Sequence, residues 1–282
     1  MALPPERFTT AADFVPLTRP PLAEALRHLG VREGDTLMVH VRLSGLRWLI
    51  GGMDAVVYAL RDVVGAAGTL LAFCGWEDSP YHRALLPPAW QDAYRHIPAF
   101  DPATSSARRD FGRFPERLRT WPGAVRSGHP EVSFTALGPR ADWLLEDPFD
   151  ADPWGASGPL GRLVRAGGRV LLLGAPLKTM TLCHHAEAIA PVAGKRFRDY
   201  RMPVLTADGP QWRDFRTLDT YYGALPYYER ADLAISSPVD RLAQQAVAAK
   251  AGVSGRVGAA TGWLFEAPLV VEAVVGWLKR NF

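Results

Sequence analysis

The chain carries two cysteines, Cys74 and Cys183, among its 282 residues. That is too few for a disulfide framework or a cysteine-bound structural zinc, and a reducing cytoplasm is the expected compartment. Long apolar runs are missing as well. The longest, residues 170–176 and 267–275, fall far short of the roughly 20 residues that span a bilayer, so no membrane partner is expected. Residues 1–20 hold Glu6, Arg7, Asp13 and Arg19 without an apolar stretch, and no secretory leader is expected there. Lysine is scarce, and the positive charge rests on scattered arginines with a net charge of only +3. No basic block argues for nucleic acid, whereas scattered arginines suit an anionic small molecule. No repeat of 20–50 residues is present, which excludes solenoids and propellers. Neither G-x-x-x-x-G-K-[ST] nor G-x-G-x-x-G occurs, so the ordinary nucleotide-fold signatures are absent.

What is present is an ordinary globular composition, 48% hydrophobic and 22% charged, with no polar linker long enough to divide it. The expectation is one α/β domain over residues 1–282, with residues 1–20 as an N-terminal extension and a central mixed sheet flanked by helices. Apolar runs at 35–41, 69–74 and 169–173 read as buried strands, with a shorter one at 133–137. Helical spacing falls at 21–29, 53–64, around 89–96, and at 111–120, 139–145, 160–166, 181–189, 238–250 and 268–281. The strand–helix–strand opening implies a right-handed crossover and parallel strands. Residues 197–215 alternate around Asp208–Gly209–Pro210 and read as an antiparallel hairpin beside the parallel strands. Residues 147–158 read as loop. The long connection at 79–100, rich in proline, histidine and aromatics, reads as a binding loop.

Three segments carry chemical content. In Thr181-Leu-Cys-His-His-Ala-Glu187, Thr181, His184 and Glu187 share one helix face just beyond a strand end. An imidazole beside a carboxylate there is a candidate general base, though a capped, half-buried helix explains the same residues. His184 and His185 are adjacent and diverge, so no shared metal is expected. Cys183 diverges from His184 in the same way, and both cysteines read as small buried residues. In Cys74-Gly-Trp-Glu-Asp-Ser-Pro-Tyr81, two acids follow a strand end between aromatics. That suits a cationic, polyhydroxylated ligand, and a plain polar turn explains it equally well. Arginines at Arg42, Arg108–Arg109 and Arg126 are candidates for phosphate contacts, although each alone is ordinary surface charge.

Taken together and in order, the motifs resemble the aminoglycoside 3-N-acetyltransferases, the antibiotic N-acetyltransferase family distinct from the GNAT superfamily. The resemblance runs from about Leu22 to the C-terminus. Its blocks are LMVHVRLSGL with the Gly51–Gly52 pair, GTLLAFCGWEDSPY, FDPAT at 100–104, RSGHPEVSFTALG at 126–138, VLLLGAPLKTMTLCHHAEAIA at 170–190 and GWLFEAPLVVEAVVGWL. The insertion before FDPAT is most similar to the branch acting on kanamycin- and gentamicin-type compounds.

The resemblance implies acetyl-CoA as acetyl donor, the 3-amino group of an aminoglycoside as acceptor, and antibiotic resistance as the outcome. It implies no metal and a monomer or homodimer. His184 matches the family's catalytic histidine in H-x-A-E, and Asp219 the acid that orients it or contacts substrate. Glu77 or Asp78 matches the acidic position after Trp76, with Glu77 taken as catalytic. The resemblance places Trp76, Asp78, Tyr81 and Glu187 on the acceptor side. It places Arg42, Leu43, Ser44, Arg109, Arg126, Ser127 and His129 on the acetyl-CoA side. The chain departs from the family at Arg42, where serine is common, and at Ser44, where lysine is common. Two other readings remain open on sequence: N-acetylation of a different amine, or a non-catalytic ligand-binding relative.

Overall fold

The computed structural model describes residues 15–146 and 152–282. The first part of the N-terminal extension and residues 147–151 of the expected loop lie outside them. Nine strands are described: β1 (Thr36–Val41), β2 (Thr69–Phe73), β3 (Val125–Arg126), β4 (Phe134–Leu137), β5 (Arg169–Leu173), β6 (Phe197–Thr206), β7 (Gly209–Leu218), β8 (Gly252–Val257) and β9 (Ala260–Glu266). The helices are α1 (Arg19–Leu29), α2 (Gly52–Val64), α3 (Pro88–Ala93), α4 (Arg113–Arg119), α5 (Ala141–Leu145), α6 (Pro159–Arg165), α7 (Leu182–Ile189), α8 (Pro238–Ala248) and α9 (Ala267–Asn281). Seven strands form one sheet in the order β3-β4-β2-β1-β5-β9-β8. Its centre, β2-β1-β5, is parallel, and the flanking pairs are antiparallel. The expected mixed sheet in an α/β domain is therefore what the chain forms.

The central strands read as unbroken apolar runs because helices cover both faces. Side chains alternate between those faces. Leu37 and Val39 of β1, Leu70 and Ala72 of β2, and Leu171 and Leu173 of β5 pack with α1, α2 and α4. Met38, Leu71, Val170 and Leu172 pack on the other side with α5 to α9. The apolar residues of β5 are fully buried, each stabilising the fold by at most about 1.5–3 kcal/mol. The same parity turns His40 and Phe73, at the far ends of β1 and β2, toward the α7 side.

Four expectations change. The β6–β7 hairpin runs to Leu218 and forms its own two-stranded sheet instead of joining the main one. It is attached through Phe100, which pairs with Val204, and it closes a small core of Trp76, Tyr81, Phe100, Met202, Val204 and Phe215. The hairpin β8–β9 was not evident in the sequence, because Gly252, Gly255 and Gly262 break the alternation that marks a strand. Two of those glycines seat α1: a side chain on Gly262 would meet Leu29 Cδ2 at 3.0 Å, and one on Gly255 would meet Leu29 Cδ1 at 3.2 Å. The helix expected at 111–120 begins only at Arg113, since Gly112 has φ +87° and ends a short 3-10 turn at Arg109–Phe111. Part of the N-terminal extension belongs to the fold: Leu17 forms a parallel bridge with Leu49.

Candidate active site

A cavity opens where the parallel strands end, the usual ligand position in open α/β sheets. Its volume is about 530 Å3. Val39–Val41 and Phe73 form its floor, Thr181 and His184 one wall, and Glu77, Tyr81, Arg108, Phe111 and Glu131 the wall opposite, with Thr217, Leu218, Thr220 and Tyr221 at one end.

β5 delivers α7 to this cavity through Gly174 and a 3-10 turn at Leu177–Thr179. Backbones cross closely there: a side chain on Gly45 would lie 3.0 Å from the Gly174 carbonyl oxygen. On α7, His184 Nδ1 lies 2.6 Å from Glu187 Oε2. Tyr227 Oη donates to the other carboxylate oxygen, also at 2.6 Å. Burial and the Glu187 charge push the Tyr227 hydroxyl's pKa far up, so it stays a donor. A carboxylate only accepts, so Nδ1 is the ring nitrogen that carries a proton toward Glu187, and Nε2 is the one left for the cavity. The His184 side chain is 16% exposed and Glu187 only 2%. The carboxylate behind the histidine is thus Glu187, and Glu187 does not face an acceptor as expected. Asp219 does not fill that role. Its Oδ1 accepts from the Tyr222 amide at 3.0 Å and lies 3.5 Å from Tyr81 Oη, between the cavity-lining Leu218 and Thr220.

The opposite wall differs most from expectation. Glu77 accepts from the Arg109 amide at 2.7 Å and from Arg109 Nε at 2.6 Å, and these contacts lower its pKa. The expected catalytic acid and the expected acetyl-CoA-side arginine therefore clamp each other. Asp78 is exposed beside them. Trp76 is buried against Phe100 and offers no face to a sugar ring. Arg126 spends its guanidinium on the Gly75 and Ser105 carbonyls and on Ser133 Oγ. Ser127 Oγ accepts from the Phe134 amide at 2.9 Å. His129 Nδ1 accepts from the Val132 amide at 3.0 Å, and burial drives its pKa down to about 3. The R-S-G-H-P block thus braces a buried turn, with Arg126, Ser127 and His129 each bonded to partners within the protein.

Tyr81 lines the cavity. Arg42 and Leu43–Ser44 follow β1, and Arg42 borders a shallow second depression of about 540 Å3 with Gly45, Gly174–Leu177, Ala260, Thr261 and Trp263. The loop from Gly174 to Thr179 joins the two, with exposed Lys178 between them.

Sequence reasoning missed Glu131. Its side chain lines the cavity, takes the Ser79 hydroxyl and lies 3.1 Å from Arg108 Nη1. Burial raises its pKa while Arg108 and Ser79 pull the other way. Trp154 was missed too, and His82 was read only as part of the 79–100 binding loop; the Tyr227 contact with Glu187 arises only by tertiary folding. Both thiols are buried and pushed up in pKa, Cys74 to about 12 and Cys183 well above its usual value. Among the described residues no three His, Cys, Asp or Glu side chains cluster as a metal site, and no helix is long and apolar enough to cross a membrane.

A histidine–carboxylate pair over a cleft at the strand ends of an α/β sheet is the equipment of an enzyme, and likeness to known proteins makes it an acyltransferase. The chain belongs to the aminoglycoside 3-N-acetyltransferase family, which it matches over residues 38–279. It is 51% identical over 269 residues to aminoglycoside N(3)-acetyltransferase VIII of Streptomyces fradiae, covering 94% of this chain and 93% of that one. Its fold superposes with a TM-score of 0.89 on the aminoglycoside acetyltransferase AAC(3)-Xa, at 48% identity and 94% coverage of both chains. It also superposes on AAC-IIIb in binary complex with CoASH, with a TM-score of 0.84, 39% identity, and coverage of 95% of this chain and 98% of that one.

Proposed function

We propose that this protein transfers an acetyl group from acetyl-CoA to the 3-amino group of an aminoglycoside, with His184 as general base, and so confers resistance to the antibiotic. The observation that carries the reading is the buried Tyr227–Glu187–His184 chain, which leaves only Nε2 of His184 for the cleft. Acetyl-CoA supplies the thioester carbonyl that the amine attacks. An aminoglycoside amine is mostly protonated near neutral pH and must lose a proton first. That proton goes to solvent; as the neutral amine attacks, Nε2 of His184 takes the second N–H proton, directly or through a water, and Glu187 stabilises the resulting imidazolium. The same imidazolium then protonates the departing thiolate, which returns His184 to its neutral form. Arg42 at the shallow depression and Lys178 at its junction with the main cavity suit an anionic carrier. Glu131, Asp219 and Tyr81 lie on the other side, where carboxylates and an aromatic face suit a polycationic sugar.

The deciding experiment is a panel of aminoglycosides assayed for thiol release from acetyl-CoA, with product mass spectra locating the acetyl group. Acetylation at the 3-amino group supports the reading. Acetylation of simple amines only, with aminoglycosides untouched, overturns it.

A further inference from the structure

His185 stands beside the proposed base and projects from a different face of α7. It is 2% exposed, and its Nδ1 lies 2.8 Å from the Trp154 carbonyl oxygen. A carbonyl only accepts, so Nδ1 of His185 carries the proton. Burial holds the ring neutral by lowering its pKa.

Trp154 sits in a tight turn ahead of α6. Its amide donates to Asp152 Oδ1 at 3.0 Å. The turn closes on itself so tightly that a side chain on Gly158 would lie 2.3 Å from the Pro153 carbonyl oxygen. The indole is 2% exposed and lines the active-site cavity. It packs edge-on against His184, with ring centroids 5.2 Å apart, and against Phe73 at 5.4 Å. Its Nε1 finds no hydrogen-bond partner among the described residues. The ring's orientation therefore rests on packing and on the anchoring of its backbone.

We propose that His185 is a positioning residue: by holding the Trp154 carbonyl it fixes the indole that walls His184 into the cleft. The two adjacent histidines then have separate duties, one facing the reaction and one bracing the wall that aims it. This rests on the reading of His184 as base. Misplacing a reacting group by about 1 Å costs on the order of 100-fold in rate, and loss of the brace acts in that way.

The test compares kcat and KM of His185→Ala, His185→Asn, His185→Gln, Trp154→Ala and the double variant His185→Ala/Trp154→Ala, with His184→Ala in parallel. His185→Ala is expected to lower kcat by about 10–100-fold and to leave the acetyl-CoA KM within about twofold. The amide N–H of His185→Asn takes the place of Nδ1–H and restores kcat to within about threefold of the parent. His185→Gln, whose amide reaches the Nε2 position instead, does not. The double variant is expected to be no slower than Trp154→Ala alone. A kcat unchanged in His185→Ala, or effects of His185 and Trp154 that multiply, overturns the proposal. If His185→Ala does not fold, equal rates for the Asn and Gln variants overturn it. If His184→Ala keeps its rate, the base assignment itself has failed. If His184→Ala is inactive while His185 and Trp154 act independently, only the positioning role has failed.

Discussion

The two walls of the cleft are built by different means. One is a single helix, α7, on which His184 and Glu187 meet because they stand three residues apart. The other is assembled from loops and the β6–β7 hairpin. Its pairings join residues 32 apart (Glu77 with Arg109), 52 apart (Ser79 with Glu131) and 138 apart (Tyr81 with Asp219). Helical spacing alone fixes the first wall. The second exists only once the chain has folded, and there a residue's chemistry depends on which partner claims it. Glu77 and Glu131 show the consequence. Both are acids lining one cavity, yet Glu77 is held in an ion pair at the cleft mouth and Glu131 lies half-buried beneath Arg108 and Ser79.

The largest expected effect breaks the α7 wall. His184→Ala should lower kcat by about 10²–10⁴ with the affinity for acetyl-CoA unchanged, as steady-state kinetics and calorimetry would show. The opposite wall should respond in binding and positioning of the acceptor. Asp219→Asn and Glu131→Gln should each lower kcat/KM for the acceptor while leaving the acetyl-CoA KM nearly constant. Glu77→Gln should do less, because its carboxylate already serves Arg109. An equal loss in Glu77→Gln and Glu131→Gln would erase the distinction drawn between them.

The buried turn behind that wall should show itself through pH. His129 has a folded pKa of about 3, below the value near 6.5 of an exposed histidine. Between those values the unfolded chain binds the proton and the folded chain does not. Stability therefore falls as pH drops below about 6.5, by up to about 1.4 kcal/mol per pH unit from this group. His129→Asn keeps an acceptor for the Val132 amide and removes the titration. Its urea-unfolding free energy should fall less steeply than the parent's between pH 6 and pH 4, an interval of roughly two units. The smallest effect concerns Cys183. The thiol is buried and held protonated, so Cys183→Ala should transfer acetyl groups at nearly the parent rate. Intact-protein mass after acetyl-CoA alone should show no acetyl adduct.

The same division explains what the sequence revealed. The parallel core was legible because β1, β2 and β5 are continuous apolar runs, and the His184–Glu187 face because three-residue spacing is local. The β8–β9 hairpin was hidden by the glycines that admit Leu29. Family likeness led to the R-S-G-H-P block, but only the fold shows Arg126, Ser127 and His129 turned inward to backbone partners. Glu131, the next residue along, reaches the cavity. The shared helix face pointed to Glu187 as the carboxylate beside His184, whereas the resemblance put it on the acceptor side. What the sequence lacks is any sign of Tyr227, 40 residues on, which occupies the second carboxylate oxygen and draws the acid behind the histidine.

The central claim, that His184 and Glu187 act as one unit, is tested most directly by a double-mutant cycle on acetyl transfer with His184→Ala, Glu187→Gln and the double variant at saturating acetyl-CoA. The account predicts that Glu187→Gln slows transfer substantially and that the double variant is no slower than His184→Ala alone. Losses that multiply, or a Glu187→Gln enzyme as fast as the parent, would contradict it.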